Sequence, residues 1–132
     1  MFNNPLKAYQ TVESATLDGR ALEASLLIKS AARLAAVQQN WDAPGREELL
    51  DESLRYNLRL WTVFQAEMTN ESNPIPTEIK RNLLSLSAFI DKRTFDTISY
   101  PDPAKLDILI AINRNIAAGL QPAPAGGGAV AP

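Results

Sequence analysis

Between Glu47 and Met68, Leu50, Leu54, Leu58, Trp61, Phe64 and Met68 recur at steps of three and four, with Asn57 set among them. Asp51, Glu52, Arg55, Arg59 and Thr62 form a separate polar stripe. A helix of 3.6 residues per turn places these two sets on opposite sides, so the stretch is an amphipathic helix. Leu49, Tyr56, Leu60 and Val63 add a second apolar row and widen the expected buried arc past half the circumference. A helix apolar over that much of its surface needs neighbours on two sides. The chain is therefore organised around it, as an all-α bundle.

The chain of 132 residues is long enough for one domain that buries roughly two thirds of the surface its unfolded form exposes. It contains no cysteine and no histidine. Disulfides and thiolate metal sites are thereby excluded, and the usual general base near neutrality is missing. An enzyme is not expected, nor is a cofactor. Thirteen basic residues are scattered among fifteen acidic ones for a net charge of -2, which provides no broad positive field for nucleic acid or anionic lipid. The start, MFNNPLKAYQ, lacks the basic-then-apolar order of a secretion signal. The most apolar window, Leu106 to Ala118, is interrupted by Asp107, Asn113, Arg114 and Asn115. It falls short of the ~20 apolar residues a membrane span needs. A cytoplasmic protein without membrane insertion is expected.

Asn4 before Pro5 has the pattern of a helix cap followed by proline in the first turn. A short helix from there is expected to end near Leu17, with Asp18-Gly19 as the break and Asp18 capping a second, alanine-rich helix from Arg20 to Gln39. Asp42 to Gly45 forms a loop. Glu47, Glu48, Asp51 and Glu52 then crowd the start of the central helix, where acids favour the positive end of the helix dipole. Asp51 and Arg55 stand at the i, i+4 spacing of a helical ion pair. Thr69 to Ile75 is expected to be a loop that buries nothing of its own.

A further helix from about Pro76 to Ile98 presents Ile79, Leu83, Leu86, Ile90 and Thr94 on one face. Ser85 and Ser87 within it can bond back to carbonyls one turn earlier. Asp102-Pro103 repeats the cap-then-proline pattern and opens a last helix with Leu106, Leu109, Ile110, Asn113, Ile116, Ala117 and Leu120 on one side, Gly119 suiting its C-terminal cap. Residues 121–132, almost entirely Pro, Gly and Ala, have the composition of a disordered tail. The expected architecture is a compact single-domain bundle of about five helices over residues 1–120, with the tail at 121–132.

Four segments together resemble the FlaF family of flagellar biosynthesis regulators. They are Arg20-x-x-Glu23-Ala24 running into Leu26-Leu27-x-Lys29-x-Ala31-x-Arg33-Leu34; Leu54-x-Tyr56-Asn57-x-x-Leu60-Trp61-Thr62-Val63-Phe64; Pro76-x-x-Ile79-x-x-Asn82-Leu83-x-x-Leu86-x-x-Phe89-Ile90-Asp91; and Leu109-Ile110-x-Ile112-Asn113-Arg114-x-Ile116-Ala117-x-Gly119-Leu120. The resemblance spans about Pro5 to Leu120. It implies a non-enzymatic helical protein of flagellum assembly, associated with flagellin as a secretion chaperone and with a companion regulator, FlbT, that restrains flagellin synthesis.

Tyr56, Asn57, Arg59, Trp61, Asn113 and Arg114 are the candidate partner-binding residues. Large amphipathic aromatics and arginines anchor interfaces well. For Tyr56 and Trp61 a place in the core is an equally open reading. Asn57 and Asn113 can instead satisfy each other inside the bundle and set helix register. Arg59 and Arg114 can simply face water. Flagellin is the expected partner, and the alternative is a post-transcriptional regulator of flagellin expression acting through an FlbT-like protein.

Overall fold

The computed structural model describes residues 5–120, with side chains from Arg20 onward. All its regular structure is helical among the described residues: α1 (Pro5–Gln39), α2 (Arg46–Thr69), α3 (Thr77–Ser99), a single 3-10 turn (Pro103–Lys105) and α4 (Leu106–Leu120). The expected break at Asp18-Gly19 is absent. The backbone runs helically from Pro5 through Gly19 to Gln39, so among the described residues the bundle has four α-helices where about five were expected. An interior glycine weakens a helix by only about 1 kcal/mol relative to alanine and forbids nothing, and no proline follows to force a stop. The tail at 121–132 lies outside the described residues.

Pro44-Gly45 turns the chain between α1 and α2. Gly45 sits at φ 81°, the left-handed region that a side chain disfavours. Arg46 then stacks its guanidinium 4.2 Å from the Trp41 ring centroid and donates from Nε to the Trp41 carbonyl at 3.1 Å. Asp102 caps the last turn as its sequence position suggests, its Oδ1 accepting from the Ala104 N–H at 2.9 Å. Gly119 lies inside α4 and does not cap it. Asp51 and Arg55 form the expected ion pair at 2.9 Å on the surface of α2.

Three sets of contacts fix the helix directions. Gln38, at the end of α1, donates from Nε2 to the Pro103 carbonyl at 2.9 Å and to Asp107 Oδ1 at 2.6 Å, at the start of α4. Ser30 meets Asn57 midway along α1 and α2, and Asn113 of α4 joins them there. Helix α1 is thus antiparallel to both α2 and α4, while α3 returns along α2. Leu27, Leu34, Leu54, Leu106 and Leu109 are fully buried between these helices, each contributing about 2 kcal/mol of apolar burial. Alanines 24, 31 and 117 are buried as well and let the helices approach closely.

The second apolar row of α2 is only partly covered. Leu60 is buried and Tyr56 half-buried, but Leu49 and Val63 are exposed. On α3, the stripe closes against its neighbours from Leu86 and Ser87 onward, through Ile90, Thr94 and Thr97. Ile79 is exposed and Leu83 half-buried, so the start of α3 stands off from the bundle.

Candidate functional site

Where α3 stands off, a groove of about 740 Å³ opens at one end of the bundle. All four helices reach it: Leu22 from α1, Trp61, Phe64 and Met68 from α2, Ile79 and Leu83 from α3, and Ile116 and Leu120 from α4. Ile75, between Pro74 and Pro76, lines it from the α2–α3 loop, its N–H donating to Asn73 Oδ1 at 3.0 Å. That loop therefore contributes an apolar, half-buried side chain, against the expectation that it buries nothing. Phe64 packs edge-on against Trp61, ring centroids 5.7 Å apart.

The groove has one charged corner, made by Arg20, Glu23 and Glu67. Partial burial pushes the Glu23 carboxyl up from 4.5 to about 7, helped by a hydrogen bond shared with Glu67 and by the Glu67 charge, and opposed by Arg20. Near neutrality the protonated Glu23 can donate to the Glu67 carboxylate. A smaller hollow of about 470 Å³ lies at the opposite end, between Arg33, Asn40, Arg46 and Glu52.

Of the six residues singled out in the sequence, three meet in the interior. Trp61 Nε1 donates to Asn113 Oδ1 at 2.9 Å, Asn113 Nδ2 donates to Asn57 Oδ1 at 2.7 Å, and Ser30 Oγ donates to the same oxygen at 2.9 Å. Asn57, Asn113 and Ser30 are fully buried and Trp61 is 2 % exposed. Their polar atoms serve one another across α1, α2 and α4, with only Asn57 Nδ2 left without a partner among the described residues. Trp61 also contributes to the groove wall. Tyr56 is half-buried under the Arg33 guanidinium, 4.5 Å from the ring centroid. Arg59 and Arg114 are exposed and do not line the groove.

The groove residues Leu22, Glu23, Glu67, Ile79 and Ser87 are not among the six candidate partner-binding residues read from the sequence. The one available signal was the apolar Ile75 held between two prolines. Among the described residues no helix is long and apolar enough to cross a membrane, and no group of three or more acidic side chains is placed to hold a metal ion. The geometry suits non-covalent capture of an apolar segment.

Compared with known proteins, residues 5–120 match the family model described as flagellar protein FlaF. No curated protein and no solved structure matches the chain.

Proposed function

Since the chain belongs to the FlaF family of flagellar proteins, we propose that it binds flagellin in the cytoplasm as a secretion chaperone and helps couple flagellin export to its synthesis. The observation that carries this reading is the largely apolar groove shared by all four helices. An amphipathic helix buries its apolar stripe well in such a cleft, through anchors at i, i+3, i+4 and i+7. The role calls for binding without chemistry, and the absence of cysteine and histidine from the sequence accords with it.

The test is calorimetric titration of monomeric flagellin into this protein and into Leu22→Glu and Ile79→Glu. Both side chains are about half exposed on the groove, so circular dichroism should show both variants folded. Saturable binding to the native chain that is lost in the variants supports the proposal. No binding to the native chain overturns it.

A second reading is a post-transcriptional regulator of flagellin expression that acts through an FlbT-like protein. Phe95 is 59 % exposed on α3, about eighteen ångströms along the helix from Leu83 at 1.5 Å per residue. A companion regulator of the FlbT type could dock there without occupying the groove. If Phe95→Glu abolishes capture of such a regulator while flagellin binding is intact, the two partners use two surfaces.

A further inference from the structure

The electrostatics of the groove narrow what can lie in it. Helices α2 and α4 run parallel towards it; α2 ends there, at Thr69, and α4 reaches it with its last described turn. The α2 C-terminus concentrates partial negative charge on its last carbonyls, and it has no basic residue in its last turn. Glu67 stands in that last turn of α2, and Glu23 meets it from α1. Two positive groups are near. Arg20 lines the same corner and Lys80 Nζ is already engaged with the Asn70 carbonyl at 3.3 Å. The N-terminus of α3 also points to this end, with Glu78 in its first turn. Among the described residues, two carboxyls and a helix C-terminus meet one guanidinium at this corner, which leaves it short of a cation.

A second observation concerns the wall. Ser87 lines the groove at 2 % exposure, and its hydroxyl has no partner among the described residues. Buried hydroxyls are ordinarily satisfied, so this one would gain a partner from a polar group that the groove's occupant brings within reach.

We propose that the occupant of the groove is an amphipathic helix whose polar edge carries a lysine or arginine seated between Glu23 and Glu67. This rests on the groove being the docking site described above and adds the chemistry of its partner. The apolar floor takes the helix stripe, the carboxyl pair takes the cation, and Ser87 takes a polar group on the opposite edge. Insertion of the cation displaces the proton shared by the two carboxyls, so binding releases it and tightens as pH rises through neutrality.

The experiment uses a set of synthetic amphipathic helical peptides with one common apolar face. One peptide has glutamine at every edge position, and each of the others has a single lysine at a successive edge position. At least one lysine register should bind the native protein roughly fivefold more tightly than the glutamine peptide, the size expected of a partly exposed ion pair. That preference should vanish in Glu23→Gln/Glu67→Gln, an isosteric double variant checked for folding by circular dichroism, and shrink in high salt. Equal binding of all registers, a preference that survives in the double variant, or no peptide binding to the folded native chain overturns the proposal. Flagellin titration is read separately. Flagellin binding without lysine preference removes this inference alone, whereas a lysine preference without flagellin binding removes flagellin as the client.

Discussion

The indole N–H of Trp61 donates to Oδ1 of Asn113 across the interior at 2.9 Å, and Asn113 in turn donates to Asn57. Each group in this relay is fixed by the next, so removing the middle one leaves a buried donor on one side and a buried acceptor short of a partner on the other. Asn113→Ala should lower stability by about 3 kcal/mol, combining orphaned polar groups with a small cavity. Trp61→Phe should be milder at Asn113, because it removes the donor together with its need. Urea denaturation of both variants and the double variant, followed by circular dichroism, should show strong non-additivity.

Two glycines should respond in opposite directions to alanine. Gly45→Ala meets no atom within 4 Å of the new methyl, so its effect is the strain of φ 81° alone, a loss of about 1 kcal/mol. Gly119 lies within α4 and is equally uncrowded. Gly119→Ala should therefore be neutral or stabilise by up to about 1 kcal/mol through helix propensity. Thermal unfolding of the two variants checks the sign of each.

Thr94 is fully buried on α3 and its hydroxyl has no partner among the described residues. Thr94→Val keeps the shape and removes the unpaired group. It should raise stability by about 1 kcal/mol. A loss of stability would show that the hydroxyl is satisfied in solution.

Glu23 gives the fold a particular pH dependence. Its folded value near 7 lies above 4.5, so the folded state holds more protons than the unfolded state within that window. Stability from this group is full below the lower value, falls as pH rises through the window, and is fully lost above the higher one. Glu23→Gln should abolish this contribution. Discounted for solvent screening at a largely exposed pair, the gain over the native chain above about pH 8 is on the order of 1 kcal/mol, shrinking to nothing below about pH 4. Paired denaturation curves across pH isolate the difference from all other carboxylates.

Much of the helix pattern was legible because it depends on local spacing. Asp102-Pro103, the Asp51–Arg55 pair and the extents of α2 and α3 follow from neighbours within a turn. Gly19 misled because a weak local preference was overridden by the continuity of a long helix. Asn57 and Asn113 stand out in the sequence as polar residues within apolar seams, and their pairing follows from that. Ser30 and Trp61 joining them depends on how α1 lies across α2, which no single periodicity encodes. The groove was illegible for the same reason. Ile79 and Leu83 continue the stripe of Ile90 without interruption, and only the packed arrangement shows that the stripe begins over open space. Glu23 and Glu67 look like ordinary solvated acids until α1 and α2 bring them together.

The Trp41–Arg46 stack, the Gln38 contacts and Lys105, which bridges the Tyr100 carbonyl at 2.7 Å and Asp96 at 3.0 Å, all lie at the end of the bundle away from the groove. One end of the molecule is thus clasped and the other is not, with the asparagine relay between them as a fulcrum. Local opening free energy should grade along the helix axes. Amides of α2, α3 and α4 near Met68, Leu83 and Leu120 should exchange with deuterium faster than those near Leu54, Ile90 and Leu109. If the groove takes a helix as proposed, the guest should spread the tips of α3 and α4 while the far end holds the fold together, like a peg that opens without coming apart.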